Sequence, residues 1–341
     1  MKDFTSLSHE ELERMLLDRP RAIGGTPTSL QYVAVPLECL VPGGPLGFQV
    51  FLKVDNRYVL IQGRDERFDV VKRDHLLALQ QATVFIQVQD QPRYHEHVEA
   101  NLRRIVRDSG LNETEKAKIV YDSIQVVVRD LLKNPLDPRL PQRAQEASEA
   151  AVDFVLSGRK SFLSFLTGCS LDYQTYSHSV HVSMYAIGLG HRLGWPPELL
   201  SEMGAGVLIH DVGKTRVDEK ILTKPGPLTE AEWDVMRRHP RWGLELVERS
   251  DGVTALMKDI VLHHHEKLDG SGYPDRLRGE QISPAVRAVT ICDIFDAVTS
   301  HRPYKKALPS FDALKQIQSD MRGKIDFQLL TQFILLLQGE P

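Results

Sequence analysis

Two hydrophobic patterns divide the chain. Between residues 30 and 90, apolar and polar positions alternate in short runs rich in β-branched and aromatic residues, which predicts strands. The clearest of these runs are 48–52, 58–61 and 83–88, and leucines near 76–79 predict a helix before the last of them. From about Pro92 onward, apolar residues recur at three- and four-residue spacing, which predicts amphipathic helices.

The helical part of the pattern has its own divisions. Segments 93–109 and 113–133 are long and amphipathic, and two X-Pro pairs then break the chain at Asn134-Pro135 and Asp137-Pro138. Nearly every segment from 145 to 338 is predicted to be helical, and a cap-like Ser8 predicts a short helix within the first 20 residues. The pattern indicates a mainly α protein, with an all-α helical bundle in the C-terminal half and a small α+β domain before it.

Three regions follow from this pattern. We assign residues 1–90 to a small sensor or docking domain, 91–145 to helices that link or dimerise, and 146–341 to a catalytic domain. A length of 341 residues agrees with two domains. Two roles stay open for the helices of 91–145, which could form a stalk or dimer interface, or could pack on the bundle.

Composition narrows the functional class. The net charge of −4 argues against nucleic-acid binding, although a local basic pocket for a dinucleotide stays open. Cys39, Cys169 and Cys292 are scattered and odd in number, which fits a reducing compartment and neither a disulfide framework nor a zinc finger. The N-terminus has no signal-peptide pattern, and apolar runs stay shorter than the ~18 residues of a membrane span. We therefore expect a cytoplasmic protein with no membrane partner.

Histidines and carboxylates concentrate in the C-terminal half. Nine of the 13 histidines fall between His178 and His301. Imidazole and carboxylate ligands suit Fe, Mn, Zn, Ni or Co. The candidate ligands are His178, His210, Asp211, His239, His264, His265 and Asp293. Seven ligands are more than one tetrahedral zinc ion needs, and they suit two octahedral ions that share a bridging ligand. Asp211 is the natural candidate for that bridge. Two metals roughly 3.5–4 Å apart can hold a phosphoryl group and activate a bridging water.

Other polar residues nearby have simpler explanations. His263, His181 and His191 are interpreted as packing or surface residues. Asp296 shares a helix face with Asp293 and is expected to hydrogen-bond or cap rather than to bind metal. Glu266 is expected to orient the adjacent histidines or to pair with a cation. The Gly-Lys-Thr at 213–215 is no P-loop, because Leu208 stands where that motif needs glycine.

Ordered motifs over about half the chain carry a family resemblance. They are YSHS at 176–179, HDVGK at 210–214, ILTKPG at 221–226, RHP at 238–240, HHEKLDGSGYP at 264–274, DIFDAVTS at 293–300 and RPYK at 302–305. In order and spacing, the segment from about Leu171 to Gln338 resembles an HD-GYP domain, a branch of the HD metal-dependent phosphohydrolases. The resemblance implies an HD-type helical bundle and the same seven metal ligands.

The resemblance also implies a substrate and its contacts. HD-GYP proteins hydrolyse the bacterial second messenger cyclic di-GMP to pGpG and in some cases onward to GMP, with two divalent ions for which Fe or Mn is usual. By this resemblance Asp211 and Lys214 are catalytic, Lys214 contacts the scissile phosphate, Tyr273 lines a guanine or phosphate pocket, and Arg302 and Lys305 hold the second phosphate. A homodimer and signalling partners such as GGDEF proteins are further expectations.

One departure and two alternatives stay open. Some family members place a glutamate four residues before the first histidine ligand to help hold a third metal, and this chain has Gln174 there, which favours two metals. The chain could instead be a non-catalytic cyclic di-GMP receptor, signalling through residues 1–140. It could also be an HD phosphohydrolase that acts on another nucleotide.

Overall fold

A computed structural model describes residues 31–54, 57–168, 175–300 and 307–339. The chain divides into two compact units, Met1–Leu111 and Asn112–Pro341. The predicted helix near Ser8 lies outside the described residues. Within the described part, no helix combines the length and the apolar character needed to cross a bilayer.

An antiparallel four-stranded sheet organises the first unit. Its strands lie in the order β1-β4-β2-β3 and are β1 (Tyr32–Pro36), β2 (Val50–Val54), β3 (Arg57–Gln62) and β4 (Thr83–Gln87). The alternation has the expected result, since Val84 and Ile86 are fully buried on one face while their neighbours are more exposed. The three runs named from sequence are strands, and β1 adds a fourth.

Two helices belong to the same unit as this sheet. Helix α1 (Val70–Ala78) begins after Asp69, whose carboxylate accepts a hydrogen bond from the Lys72 amide and caps the helix. Helix α2 (Gln91–Arg107) buries an apolar face that includes Val98, Leu102 and Ile105, at the spacing of one helix face.

The second unit is a helical bundle. Its helices are α3 (Glu113–Lys133), α4 (Leu140–Leu156), α5 (Arg159–Gly168), α6 (Thr175–Arg192), α7 (Pro197–Leu208), α8 (Glu219–Leu222), α9 (Glu230–Met236), α10 (His239–Val247), α11 (Ala255–His263), α12 (Pro284–Thr299), α13 (Ser310–Asp320) and α14 (Phe327–Leu337). Two 3₁₀ turns, Val212–Arg216 and Gly279–Gln281, connect them. The helical bundle expected from the pattern is confirmed.

Close helix packing in the bundle depends on a small residue. A Cβ at Gly204 of α7 would lie 2.2 Å from Ser148 Oγ and 2.8 Å from Ile187 Cδ1, which belong to α4 and α6. Only glycine allows these three helices to approach so closely. Helices α6 and α7 carry or precede several of the predicted metal ligands, so this packing fixes their relative position.

The helices of segment 91–145 belong to different units. The expected helix 93–109 is observed as α2 in the first unit, whereas the expected helix 113–133 is α3, the first helix of the second unit. An Asn112–Glu115 capping box starts α3, and its buried residues Val120, Ile124 and Val127 share a face. Helix α3 packs against α4, α5 and α6. Of the two roles left open for 113–133, packing on the bundle is observed.

Candidate metal centre and its surroundings

Five chain segments bring the seven predicted metal ligands together. His178 comes from the first turn of α6, Asp293 from α12, and His239 is the first residue of α10. The pair His210-Asp211 follows the end of α7, and the pair His264-His265 follows the end of α11. Six of the seven are buried, with at most 7% of their surface exposed, and His265 is partly exposed. Such burial of polar groups requires partners.

Asp211 lies at the centre of this cluster. Its Oδ2 atom is 3.4 Å from His210 Nε2 and 3.9 Å from His178 Nε2. Its Oδ1 atom is 3.4 Å from His239 Nε2 and 3.9 Å from His264 Nε2. Two groups of converging ligand atoms therefore share this one carboxylate: His178, His210 and Asp211 form the first, and Asp211, His239, His264 and His265 form the second.

Asp293 touches one histidine of each group. Its Oδ1 atom lies 3.1 Å from His178 Nε2, and its Oδ2 atom lies 3.6 Å from His265 Nδ1. A carboxylate in this position adds a second negative charge beside Asp211. The cluster therefore combines five imidazoles with two carboxylates, a donor set suited to first-row divalent ions.

Three histidines of the cluster, His239, His264 and His265, are held neutral. Burial lowers the pKa of His239 to about 3 and that of His265 to about 4, and it lowers the pKa of His264 well below its usual range. Neutral imidazole is the form that binds a metal. At neutral pH these nitrogens need not lose a proton first.

The carboxylates of the cluster are held ionised. Burial alone would raise the pKa of Asp211, but the neighbouring His210 and Lys214 outweigh it and keep the pKa well below the usual range. The pKa of Asp293 is also lowered, because hydrogen bonding to His178 and electrostatic interaction with His265 outweigh the effect of burial. The cluster thus presents two negative carboxylates beside the neutral imidazoles of His239, His264 and His265.

Backbone carbonyls set the tautomer of three histidines. The Nδ1 atom lies 2.6 Å from Val207 O in His210 and 2.8 Å from Met236 O in His239, and in His264 it lies 3.1 Å from Ile260 O. A carbonyl oxygen only accepts, so each Nδ1 carries the proton and each Nε2 keeps a free lone pair.

Two of these lone pairs face each other. His239 Nε2 lies 3.2 Å from His264 Nε2, and with both Nδ1 atoms protonated neither Nε2 can donate. In addition, the buried His210 Nε2 and Asp211 Oδ1 lack a hydrogen-bond partner among the described residues. Converging acceptors without a donor are costly unless a cation lies between them. The residues present therefore fit bound metal ions.

Asp296 supports the cluster from behind. Its fully buried carboxylate lies 2.7 Å from His178 Nδ1 and 3.0 Å from His181 Nδ1. Burial would raise the pKa of Asp296, but the hydrogen bonds from His178 and His181 lower it to about 2. This placement agrees with the expected hydrogen-bonding role.

His181 is packed as expected, with its ring stacked on Tyr121 of α3 at 5.5 Å between ring centroids. It also donates a hydrogen bond to Asp296. The contact of His181 with Asp296 was not expected from the sequence. The three-residue spacing of His178 and His181, which places both on one helix face, could have indicated it.

Lys214 lies beside Asp211 on the short 3₁₀ helix. Its Nζ atom is 2.6 Å from Asp211 Oδ2, and its side chain is 21% exposed. The turn that carries it is pressed against α10, because a Cβ at Gly213 would lie 1.9 Å from His239 O and 2.5 Å from Gly243 N. Glycine at 213 therefore allows the His210-Asp211 turn to reach His239.

The glycine-rich segment places Tyr273 over the cluster. Its ring centroid lies 4.7 Å from that of His265 and 6.3 Å from that of His239. Burial raises the pKa of the Tyr273 hydroxyl, and the charges of Asp293 and Asp211 add to this effect, so the phenol stays neutral. At Gly272, a Cβ would lie 2.5 Å from Glu266 Cα, so only glycine allows this close approach.

Glu266 has a different role from the one expected. Its buried carboxylate accepts hydrogen bonds from the backbone amides of Asp275 at 2.6 Å and Leu277 at 3.1 Å. It therefore anchors the segment after Tyr273 and does not orient the histidines, because the ligand histidines whose Nδ1 partners are seen use backbone carbonyls or Asp296. Sequence alone could not show which backbone amides this carboxylate would meet.

Three predicted positions lie outside the described residues. These are Gln174, at the position of the third-metal ligand, and Arg302 and Lys305, the expected contacts of the second phosphate. Their roles stay predictions from the resemblance.

Comparison with known proteins agrees with this geometry. A sequence model of the HD domain matches residues 139–329, more than half of the chain. A cyclic di-GMP phosphodiesterase of Pseudomonas aeruginosa is 41% identical over 180 residues, 53% of this chain and 43% of that protein. A 3′3′-cGAMP-specific phosphodiesterase (number 2) of Vibrio cholerae is 38% identical over 133 residues, 39% of this chain and 26% of that protein. The match thus spans less than half the length of either relative.

Similarity to a solved structure extends further along the chain. An HDG"Y"P protein from Bdellovibrio bacteriovorus superposes with a TM-score of 0.62, covering 90% of this chain and 99% of that one at 20% sequence identity. At this identity the match supports the fold. It agrees with a helical domain of the HD type in the C-terminal part of the chain.

Proposed function

The chain belongs to the HD domain family, and from that premise we propose that it is a metal-dependent phosphodiesterase that hydrolyses cyclic di-GMP. The similarity to the P. aeruginosa cyclic di-GMP phosphodiesterase supports the substrate class. The observation that carries the chemistry is Asp211, whose two oxygens each face a different histidine group. That arrangement suits one carboxylate bridging two ions.

Two divalent ions would divide the cluster between them. His178, His210, Asp211 and Asp293 would hold one ion, and Asp211, His239, His264 and His265 would hold the other. Iron or manganese is proposed from the family resemblance, and imidazole and carboxylate donors accept either. When bound, such a pair supplies Lewis acidity toward a phosphoryl oxygen and a nucleophilic water at neutral pH.

Other residues around that centre would orient the substrate and stabilise the charge that develops on its phosphate. The Lys214 ammonium, held by Asp211, would lie beside the scissile phosphate and stabilise the negative charge that grows on its oxygens. The neutral hydroxyl and ring of Tyr273 would contact a guanine base or its phosphate. Arg302 and Lys305 would hold the second phosphate, which fixes the far half of the dinucleotide and raises the rate through positioning.

The product and the rival functions follow from the same site. We propose pGpG as the first product, and experiment decides whether a second hydrolysis to GMP follows.

A related cyclic dinucleotide is a second candidate substrate, because a V. cholerae relative is named a 3′3′-cGAMP-specific phosphodiesterase. A non-catalytic receptor is disfavoured, since a complete ligand set with a nearby lysine is more than binding requires. The homodimer and the GGDEF partners stay predictions.

A substrate panel tests the proposal. Protein loaded anaerobically with Fe²⁺ or Mn²⁺ is incubated with cyclic di-GMP, 3′3′-cGAMP and a mononucleotide phosphoester, and products are separated by chromatography. We expect pGpG to appear from cyclic di-GMP faster than any other product. Faster turnover of 3′3′-cGAMP would reassign the substrate, and metal-loaded protein that binds cyclic di-GMP and leaves it intact would support the receptor.

A further inference from the structure

Several contacts of the loop that carries Tyr273 converge on one residue, Asp275. We call residues 271–278 the Tyr273 loop. Asp275, two positions after Tyr273, donates its backbone amide to the buried Glu266 carboxylate at 2.6 Å. Its side-chain Oδ1 atom pairs with Arg241 of α10, and its Oδ2 atom lies 3.1 Å from His263 Nε2. Three contacts from three directions therefore converge on Asp275.

His263 connects this residue to the rigid bundle. It is the last residue of α11, and its side chain is 16% exposed. Its Nδ1 atom lies 2.7 Å from Asp259 Oδ1, one turn earlier on the same helix. Asp259 is in turn fixed by the hydroxyl of Ser283, the N-cap of α12, at 2.7 Å. Both ring nitrogens of His263 therefore contact carboxylates, one on α11 and one in the Tyr273 loop.

His263 adjoins the candidate metal cluster in sequence but lies outside its contacts. Its neighbours His264 and His265 belong to the converging ligand group, whereas the contacts of His263 run to Asp259 and Asp275. His263, the first histidine of the run 263–265, therefore has a separate task from the other two.

We propose that His263 is a positioning residue that joins Asp275 to Asp259, holds the Tyr273 loop over the metal centre and so sets the affinity for the dinucleotide. Glu266 fixes the loop backbone from inside, and His263 with Arg241 fixes the Asp275 side chain from outside. The inference rests on the proposed function, because it assigns Tyr273 to substrate recognition. A side chain held by its neighbours in one position costs less to order on binding than a mobile one.

Kinetics of paired variants test the proposal. We expect His263→Ala to raise KM for cyclic di-GMP about tenfold, the scale of one lost hydrogen bond to a charged group. The kcat and the metal content should stay within about twofold, because the change acts on loop position rather than on the ligands. His263→Gln, which can donate to only one of the two carboxylates at a time, should give an intermediate KM. His191→Ala, at an exposed site, is the matched control.

A double variant separates positioning from a general effect on the fold. If His263 acts through Asp275, His263→Ala should change KM little in a chain that already carries Asp275→Ala. An unchanged KM in His263→Ala, or a tenfold rise that persists in the Asp275→Ala background, would overturn the proposal. If His263→Ala loses metal or fails to fold, His263→Gln supplies the same comparison.

A second readout does not depend on turnover. Arg276 is exposed within the Tyr273 loop, and its peptide bond to Leu277 contains the amide N–H that donates to Glu266. Trypsin should cut after Arg276 several times faster in His263→Ala and in Asp275→Ala, with cleavage after the exposed Lys220 unchanged. Equal cleavage at Arg276 in the wild type and the variants would contradict the positioning role of His263. If the wild type turns over no dinucleotide, the proposed function fails, while the cleavage result still decides whether His263 holds the Tyr273 loop.

Discussion

At the scale of single residues, the candidate metal centre is defined by the hydrogen-bond partner of each polar atom. Backbone carbonyls occupy Nδ1 of His210, His239 and His264, which leaves the Nε2 atoms free to face the centre. Asp211 divides its two oxygens between two sets of these atoms. The protein thus prepares a set of converging acceptors that a bound cation would satisfy.

Asp296 should control the metal affinity through His178. In Asp296→Asn, one of the two histidine donors would meet an amide NH₂ group in place of a carboxylate oxygen, and His178 would lose its orientation. We expect the metal dissociation constant to rise about 10–100-fold, the usual effect of removing such a partner. Competition with a chromophoric chelator measures the constant. Asp251→Asn, at an exposed loop position, is the control, and an unchanged constant in Asp296→Asn would remove this role.

The buried histidines should make the metal-free protein sensitive to acid. Their folded-state pKa values, about 3 for His239 and about 4 for His265, lie below the unfolded value near 6.5. The unfolded chain therefore takes up protons first as the pH falls. The stability due to neutral histidine is full above about pH 6.5 and is lost progressively toward pH 4, by up to about 1.4 kcal/mol per pH unit for each such group.

Urea unfolding of chelated protein between pH 7 and pH 4.5 measures this loss. Replacing His239 by Asn should reduce the slope of the free energy of unfolding against pH, whereas His191→Asn should leave it unchanged. A slope that is the same in all three proteins would show that His239 titrates in the folded state as it does in the unfolded chain.

At the scale of elements, the site depends on the ends of helices meeting closely. The turn with His210-Asp211 reaches α10 because neither Gly213 nor Gly243 has a side chain that would keep the two elements apart. The pair His264-His265 follows α11, and Asp293 comes from the middle of α12. A small change in the spacing of these elements would separate the two ligand groups.

Gly213→Ala should disrupt this meeting. The added Cβ would lie 1.9 Å from His239 O, a backbone atom that cannot rotate away. We expect a loss of about 1–3 kcal/mol in the free energy of unfolding, together with loss of bound metal. Denaturant unfolding and metal analysis are the measurements. Gly44→Ala, where a Cβ meets nothing within 4 Å, is the control, and normal stability with normal metal content in Gly213→Ala would contradict the packing argument.

Much of the bundle, and the candidate ligand residues that the structure brings together, could be predicted from sequence, because both are encoded locally. The three-and-four spacing of apolar residues predicted segment 113–133 as a helix, and α3 has those bounds. The candidate ligands were recognisable because pairs such as His210-Asp211 are adjacent along the chain. The anchoring role of Glu266 and the contacts of His263 were not recognisable, because they depend on side chains meeting Asp275, 9 and 12 residues further along the chain.

At the scale of the whole molecule, the proposed chemistry belongs to one of two units. The HD domain match covers 139–329, and the converging ligand groups lie entirely within Asn112–Pro341. The first unit has a four-stranded sheet and a separate core, with Phe48, Phe68 and Ile86 fully buried. Its sensor or docking role stays a prediction.

Metal binding should therefore stabilise the two units unequally. Ions that bind the folded cluster and not the unfolded chain stabilise the elements that carry it. We expect hydrogen exchange to slow in α6, α12 and the turn 209–216 when Mn²⁺ is added to chelated protein, with little change in strands β1–β4. Exchange followed by peptide mass spectrometry measures this. Equal protection of the strands would show that metal binding is coupled to the first unit.

The most direct test of the account is to count metal ions and follow turnover on the same anaerobic preparations of wild type, Asp211→Asn and His191→Asn. We predict two ions per chain and pGpG from cyclic di-GMP for wild type and His191→Asn. For Asp211→Asn, where one oxygen of the bridge becomes an amide nitrogen, we predict loss of bound metal and of turnover. An Asp211→Asn protein with two ions and normal turnover would contradict the central claim that one carboxylate joins two metal groups.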